Sequence, residues 1–301
     1  MDGIIISIFT MGNWWKGVSI EKLRQAEIGL FESVGMRHDD LTITNVPIWQ
    51  NSVSADVAEN YIHEIRVRPL QPGLPKLVMI HGFGGGGAVF YKMIKHLRGH
   101  FEVITIDLLG QGMSGRPDYE IKHDFDSTIA YFTDSIHAWF EQSGLGQNGE
   151  KFTLLGHSMG GLYIGHYALK YPEHIERLVF MSSVGISSTP EFLKPDTILQ
   201  ALEGRMAGYG SQKTLDIMLE YPWTPFDFYR MSGSYFARRG LYNGLKRRVD
   251  PSIFESGETE INYLTTYVYQ MMIRKKSSEL CLNRIMMPFA YTRIALEPLL
   301  P

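Results

Sequence analysis

Short apolar segments that alternate with helical patterns constrain the fold of this chain more than any other feature. The segments predicted as strands are residues 61–67, 76–80, 102–106, 152–156 and 176–183. Helical periodicity occurs between most of them, at residues 88–98, 126–143 and 159–171. Short strands in such alternation form a mainly parallel sheet that helices cover on both faces. We therefore predict an α/β fold with its core at residues 58–185.

A serine directly follows the fourth of these predicted strands. Residues 156–160 read GHSMG and match the pattern G-x-S-x-G, with a strand before them and a helix after them. This context predicts a nucleophile elbow, a strained turn that lifts the Ser158 hydroxyl above the carboxyl end of the sheet. Gly156 and Gly160 are needed because a Cβ at either position would crowd the turn. The alternative is a structural turn in which Ser158 has no chemical role.

A glycine-rich segment, HGFGGGG, follows the strand at residues 76–80 and precedes a helical pattern. Acyl transfer needs two backbone N–H groups directed at the oxyanion of the tetrahedral intermediate. The sequence predicts that the amides of Phe83 and Met159 supply them, with His81 and Gly82 supporting the loop. The alternative is a phosphate-binding loop, which the lack of a G-K-[ST] ending disfavours.

A third segment, DLLGQGMSGRP, begins with Asp107 at the end of the strand at residues 102–106. We predict that Asp107 anchors this loop through hydrogen bonds, because an acid that begins such a loop is commonly structural. A direct catalytic role for Asp107 is the less favoured interpretation.

Three motifs, HGFGGG, DLLGQGMSGRP and LLGHSMGGLYIGHYALKYPEHIERLVFMSSVGI, together resemble the α/β-hydrolase superfamily. The resemblance is closest to the branch that contains abhydrolase-domain proteins four and five, and it extends to the segment MSGSYFARRGLYNGLKRRVDPSIFE. It implies hydrolysis or transfer of acyl groups on lipid esters such as lysophospholipids or cardiolipin, or control of lipolysis at lipid droplets. It implies no metal and no organic cofactor.

Other members of the superfamily leave alternatives open. Prolyl iminopeptidases share much of this core, so a peptidase is one alternative. Epoxide hydrolases place an aspartate at the nucleophile position, which Ser158 argues against. Some relatives in the four/five branch have lost the nucleophile and act as coactivators. A non-catalytic regulator at a membrane or lipid droplet is therefore another alternative.

The sequence offers no histidine or acid to complete a triad with Ser158. In this fold the triad runs Ser, then Asp or Glu, then His, and the last two follow the lid. None of the ten histidines follows His174, and residues 182–185 read SSVG, without a carboxylate. His81 and His157 flank the predicted site but are not expected to act as the base. Because a serine without a base is barely nucleophilic, we expect either an incomplete gene model of a hydrolase or a pseudo-enzyme.

Two segments, residues 1–57 and 186–301, flank the predicted core. The first is predicted as a leader with a helix from Ser19, in which Trp14 and Trp15 either contact lipid or pack on the protein. The second is predicted as a helical lid. Its methionines and aromatic residues suit a lipidic ligand, and simple helical packing is the alternative. The helices predicted in the lid lie near residues 195–206, 212–220 and 260–280.

Two basic groups occur within the predicted lid. They are Arg238, Arg239, Lys246, Arg247 and Arg248, and then Arg274, Lys275 and Lys276. Beside apolar side chains they suit phosphate headgroups at a membrane surface. The alternative is a solvated helix face without a ligand.

Composition limits the partners and the cellular compartment that the chain is expected to have. The net charge of −3 gives no argument for nucleic-acid binding. The single cysteine, Cys281, excludes an intramolecular disulfide and fits a reducing compartment. No apolar run reaches the length of a membrane span. We therefore expect a lipid or ester substrate and a cytoplasmic location, with peripheral contact to a membrane or lipid droplet as an open alternative.

Overall fold

The computed structural model describes most of the chain. The described residues are 17–48, 57–119, 124–146, 149–188, 190, 224–286 and 291–300. Trp14, Trp15 and the helices predicted at residues 195–206 and 212–220 lie outside them. Those predictions therefore stay predictions.

The described residues form two compact units. The helical unit consists of the described residues of Met1–His38 and Pro225–Lys275. The sheet unit consists of those of Asp39–Thr224 and Lys276–Pro301.

Six strands make up the sheet of the sheet unit. They are β1 (Leu41–Pro47), β2 (Tyr61–Val67), β3 (Lys76–Ile80), β4 (Glu102–Ile106), β5 (Phe152–His157) and β6 (Ile175–Met181). Their order across the sheet is β1-β2-β4-β3-β5-β6. β2 pairs antiparallel with both β1 and β4, and all other pairs are parallel. The predicted α/β fold is confirmed, and the five predicted strands lie within two residues of their expected positions.

β1 is a strand that the sequence prediction missed. It lies at the edge of the sheet, where Leu41 is opposite Val67, and most of its side chains are exposed or half-buried. An edge strand of this kind does not show the continuous apolar run of a buried strand. As a result, the segment predicted as a leader, residues 1–57, contributes to both units. Residues 276–301 of the predicted lid also belong to the sheet unit.

The helices begin and end for local reasons. The described α-helices are α1 (Ile20–Ser33), α2 (Tyr91–Leu97), α3 (Phe125–Gln142), α4 (Met159–Lys170), α5 (Pro225–Met231), α6 (Ser234–Arg248), α7 (Glu258–Ile273) and α8 (Leu282–Ile285). The predicted start of α1 is confirmed, because the Ser19 hydroxyl accepts a hydrogen bond from the Lys22 amide and caps the first turn. Among the described helices, none has the length and apolar content that crossing a membrane requires.

The helical unit is organised around α7, which packs against α1, α5 and α6. Gly29 allows α1 to approach closely, since a Cβ there would lie 2.5 Å from the ring of Tyr263. α7 ends at Ile273, earlier than the predicted residue 280. The backbone is extended at Arg274, and the Arg230 guanidinium donates hydrogen bonds to the Arg274 carbonyl at 3.0 and 3.2 Å. These bonds satisfy a carbonyl that the helix no longer pairs.

A buried carboxylate links β2 to α3 in the sheet unit. Glu64 is 2% exposed and accepts a hydrogen bond from the indole nitrogen of Trp139 at 2.9 Å. The Arg66 guanidinium donates to both oxygens of the same carboxylate, at 2.6 and 3.2 Å. A buried charge is tolerated only when it is paired and hydrogen-bonded, and both conditions hold here. The side chain of Trp139, which is fully buried, thus combines apolar packing with a specific polar contact.

We predict that Trp139→Phe lowers the free energy of unfolding by about 3 kcal/mol, because it leaves a cavity and removes one donor from a buried carboxylate. Urea denaturation would measure the loss. The matched control is Arg177→Gln, which breaks the exposed ion pair with Glu176 and is expected to change stability by less than about 1 kcal/mol. Equal effects of the two substitutions would show that the Glu64–Trp139 contact does not stabilise the sheet unit.

Candidate active site

Ser158 lies at a strained turn between β5 and α4. Its backbone angles are φ +54° and ψ −121°, in a region that residues other than glycine rarely adopt. Three backbone hydrogen bonds of 3.1 Å hold it there. The Ser158 amide donates to the Met181 carbonyl, and the Ser158 carbonyl accepts from the amides of Gly161 and Val184. This geometry is that of a nucleophile elbow, and β6 and the residues after it provide two of the three bonds.

Glycines allow the loop after β3 to press against this elbow. A Cβ on Gly82 would lie 2.8 Å from the Cβ and 3.2 Å from the hydroxyl of Ser158. A Cβ on Gly160 would lie 2.5 Å from the His81 carbonyl oxygen. Gly156 faces the same crowding, because its Cβ would lie 2.6 Å from the Gly160 carbonyl oxygen. The loop and the elbow are therefore in backbone contact.

The amides predicted to hold an oxyanion belong to these two segments. Met159 is the first residue of α4, so its N–H has no acceptor within the helix. Phe83 follows Gly82, the residue that contacts Ser158, and its side chain packs against the apolar core of the sheet unit. The structure thus brings Ser158, Gly82 and Met159 together, with Phe83 as the next residue of the loop.

His81 is bonded at both ring nitrogens to the backbone. Its Nε2 accepts a hydrogen bond from the Leu108 amide at 3.0 Å, so the proton is on Nδ1, which donates to the Gly82 carbonyl at 2.7 Å. The ring is fully buried, and burial lowers the pKa of His81 in spite of the nearby Asp107 carboxylate. A neutral ring with both nitrogens engaged positions the loop and leaves no lone pair for proton transfer.

The Ser158 hydroxyl has no hydrogen bond to any described residue. His157, its neighbour, is half-buried and packs its ring edge-on to Phe90, with ring centroids 6.4 Å apart. Burial lowers the pKa of His157. The histidines that flank the elbow therefore do not pair with the hydroxyl in the part of the chain that the structure describes.

Asp107 contacts backbone amides through both carboxylate oxygens. Oδ1 accepts from the Gly87 amide and Oδ2 from the Met113 amide, each at 2.5 Å, and the residue is 1% exposed. A Cβ on Gly112 would lie 2.0 Å from Oδ2, which leaves no room for a substrate group there. These bonds fit the predicted anchoring role and leave the carboxylate unavailable to a reacting group.

Gln111 is a residue that the sequence analysis did not single out. Its side chain is 2% exposed, and its carbonyl oxygen accepts a hydrogen bond from the Gly84 amide at 3.1 Å. The loop that begins at Asp107 thereby holds the loop after β3. Gln111 is part of the motif DLLGQGMSGRP, but only the folded chain shows which amide donates a hydrogen bond to it.

The sequence profile of the α/β hydrolase fold family matches residues 75–214. A 1-acylglycerol-3-phosphate O-acyltransferase from Arabidopsis thaliana is 33% identical over 259 residues, 84% of this chain and 56% of the plant protein. A (lyso)-N-acylphosphatidylethanolamine lipase from Mus musculus is 28% identical over 242 residues, 78% of this chain and 63% of the lipase. The human 1-acylglycerol-3-phosphate O-acyltransferase ABHD5 is 27% identical over 217 residues, 72% of this chain and 56% of the human protein. This chain belongs to the α/β-hydrolase superfamily.

A solved structure has a similar fold. A proposed hydrolase from Bacillus subtilis matches the α/β-hydrolase described here with a TM-score of 0.50 and 14% identity, over 86% of this chain and 71% of the bacterial one. That likeness concerns the fold alone. The curated relatives place the chain close to the branch with abhydrolase-domain proteins four and five, as its motifs predict. The chain spans between 56% and 63% of the length of the three relatives above.

We predict that Gly160→Ala lowers the free energy of unfolding by more than about 2 kcal/mol, because the new methyl group meets backbone carbonyls that cannot rotate away. Urea denaturation checks this. Gly99→Ala is the matched control, since the atoms nearest to its Cβ are 3.7 Å away, and we expect a change of no more than about 0.5 kcal/mol. If Gly160→Ala is as stable as the control, the loop and the elbow are not in contact.

The lowered pKa of His81 predicts a pH dependence of stability. The unfolded chain binds a proton at this ring below a pKa of about 6.5, and the folded chain does so only at lower pH. The contribution of His81 is therefore full above about pH 6.5 and is lost as the pH falls towards the folded pKa. Unfolding free energies of the native chain and of His81→Asn, measured from neutral to mildly acidic pH, should converge as the pH falls. Parallel curves would contradict this account.

Proposed function

We propose that this α/β-hydrolase carries the nucleophile and oxyanion half of a site for acyl transfer from lipid esters. The observation that carries the proposal is the strained elbow at Ser158 with Gly82 packed against its hydroxyl. A strained, half-buried serine beside a glycine loop suits attack on a carbonyl carbon, since both proposed oxyanion donors are backbone amides. The similarity to an acyltransferase and to a lipase supports acyl chemistry on lipids.

In the proposed reaction, the Ser158 oxygen attacks the acyl carbonyl carbon of the ester. The carbonyl oxygen becomes an oxyanion, which the amides of Phe83 and Met159 hold. Collapse of this intermediate breaks the ester bond, and the leaving alcohol takes a proton. Water then releases the acyl group as a carboxylic acid, or an acceptor alcohol takes it to form a new ester. Hydrolysis and acyl transfer thus share Ser158 and differ in the second acceptor.

The proton of the Ser158 hydroxyl needs a base. Among the described residues His81 is held neutral by backbone bonds, and His157 packs against Phe90. In a related kind of catalytic serine site, loss of the histidine base lowers turnover by about 10⁶-fold. We therefore propose that the 301-residue chain reacts slowly, and that a non-catalytic role in lipid binding is the second candidate function.

We also propose that the helical unit contacts a lipid surface. Four large apolar or aromatic side chains on α5 and α6 are between 66% and 73% exposed: Phe228, Met231, Tyr235 and Phe236. Clustered exposed side chains of this kind are typical of surfaces that meet lipid or protein. This feature supports peripheral contact with a membrane or lipid droplet, the setting in which an acyl lipid is met.

The test is release of fatty acid from lysophosphatidylcholine micelles, with and without added imidazole as a diffusible base. We expect slow release by the native chain, an increase of about tenfold or more with imidazole, and no enzymatic release by Ser158→Ala under either condition. A fluorophosphonate probe should label Ser158 slowly in the native chain and faster when imidazole is added. It should not label this position in Ser158→Ala.

Equal release by the native chain and Ser158→Ala would overturn the proposed role of Ser158. Rapid labelling without imidazole would instead show that a base is already present and that the account of His81 and His157 is wrong. Lipid binding without any release, with or without imidazole, would favour the non-catalytic function.

A further inference from the structure

A pocket of about 560 Å³ opens within the helical unit, which contains none of the residues of the Ser158 site. Its size falls within the range of small-molecule sites, about 300 to 1,000 Å³. One wall is a face of α6 and another is a face of α7, while Gly17 comes from the segment before α1 and Lys22 from its first turn. The lining includes Arg238 and Arg239 of α6 and Thr265 and Gln270 of α7.

The charge of this pocket is uncompensated. Three cations line it, Lys22, Arg238 and Arg239, and no acidic side chain does. Among the described residues no carboxylate oxygen lies within 4 Å of the charged nitrogens of these three side chains. The nearby acids are already engaged elsewhere: Glu258 pairs with Lys246, and Glu21 pairs with Arg24 at 3.9 Å. Three like charges around one pocket create a field that attracts an anion.

The pocket also contains hydrogen-bond donors that a ligand could engage. Arg238 uses one guanidinium N–H on the Thr266 hydroxyl, at 3.1 Å, out of the five N–H groups that an arginine carries. The first turn of α6 contributes Ser234 to the lining, and its N-cap residue, Gly233, makes no side-chain capping hydrogen bond. The positive end of this helix dipole therefore lies beside the pocket. Both features favour an anion that accepts several hydrogen bonds.

A buried hydroxyl gives an independent indication of a ligand. Thr265 lines the pocket, is only 3% exposed, and its hydroxyl has no hydrogen-bond partner within the described part of the chain. An unpaired buried hydroxyl is unfavourable, so such groups in native proteins are commonly satisfied by water or by a ligand. An oxygen-rich ligand in the pocket would satisfy it.

The wall formed by the start of α1 is fixed before any ligand arrives. The Gln270 side chain accepts a hydrogen bond from the Ser19 amide and donates one to the Gly17 carbonyl, both at 2.9 Å. This pair of bonds ties the segment before α1 to α7. Because Lys22 follows one turn later, its position relative to the α7 wall is set by the same contact. Because this wall is already ordered, less conformational entropy is lost when a ligand binds.

We propose that this pocket binds the phosphate group of a phosphomonoester. A phosphate dianion accepts several hydrogen bonds and pairs with guanidinium groups in bidentate geometry, which matches two adjacent arginines, a lysine and an uncapped helix start. The group belongs either to a soluble phosphomonoester or to a phosphomonoester lipid headgroup, since both present the same dianion. This inference does not rest on the proposed acyl chemistry of Ser158.

The test compares Arg239→Gln with Arg247→Gln in the full chain. Both remove one positive charge from an exposed arginine of α6, but only Arg239 lines the pocket. Calorimetry would measure binding of glycerol 3-phosphate, with glycerol as the ligand that lacks phosphate. Co-sedimentation would measure binding to phosphatidylcholine vesicles with and without phosphatidic acid.

We expect Arg239→Gln to weaken phosphate-dependent binding by about tenfold and Arg247→Gln by less than about twofold, because only the first removes a charge-assisted hydrogen bond. Thr265→Val should weaken it by about threefold through loss of one hydroxyl contact. Ser158→Ala should leave it unchanged, which separates this site from the proposed reaction.

Each outcome decides the proposal. A selective loss with glycerol 3-phosphate supports a soluble phosphomonoester, and a selective loss only on phosphatidic acid vesicles supports a lipid headgroup. Equal losses for Arg239→Gln and Arg247→Gln would show a diffuse electrostatic effect and overturn the proposal. Absence of phosphate-dependent binding to both probes, or full binding by Arg239→Gln, would also overturn it.

Discussion

The parallel pairing of β3 with β5 is the interaction on which the rest of the candidate site depends. In this pairing Ile80 lies opposite Gly156, so the two strands end at the same level of the sheet. The loop after β3 and the elbow after β5 therefore emerge side by side. Glycines at positions 82, 156 and 160 then remove the side chains that would separate them. The proximity of loop and elbow thus follows from strand register together with the absence of three Cβ atoms.

Much of this arrangement was predictable from the sequence. Buried parallel strands have continuous apolar runs, and G-x-S-x-G between a strand and a helix has few structural interpretations. Strands β2 to β6, the start of α1 at Ser19 and the glycine contacts at the elbow were therefore accessible without a structure. The anchoring role of Asp107 was a prediction from its place at the start of a loop, whereas its particular partners, the Gly87 and Met113 amides, were not predictable.

The features that the sequence did not reveal depend on long-range partners. β1 is an edge strand with mixed burial, so it lacks the apolar run by which the other strands were recognised. Gln111 and Glu64 are polar residues that the sequence does not mark as buried. Gln111 is buried against the Gly84 amide, and Glu64 is buried against the Trp139 indole. The same holds for Thr265, whose unpaired hydroxyl is apparent only when α1, α6 and α7 are assembled. Periodicity predicts which elements form, whereas tertiary contact decides which polar groups become buried.

The backbone hydrogen bonds at residue 158 have an evolutionary consequence. Every bond that holds this residue in its strained conformation runs through its own amide or carbonyl, and none uses its hydroxyl. The scaffold consequently stabilises a position rather than a particular side chain. Sequence drift can replace the reacting group, or remove its chemistry, without dismantling the turn that presents it. In such a fold the turn can be kept while the activity is lost. Catalysts and non-catalytic binding proteins can therefore descend from one ancestor with the same elbow intact.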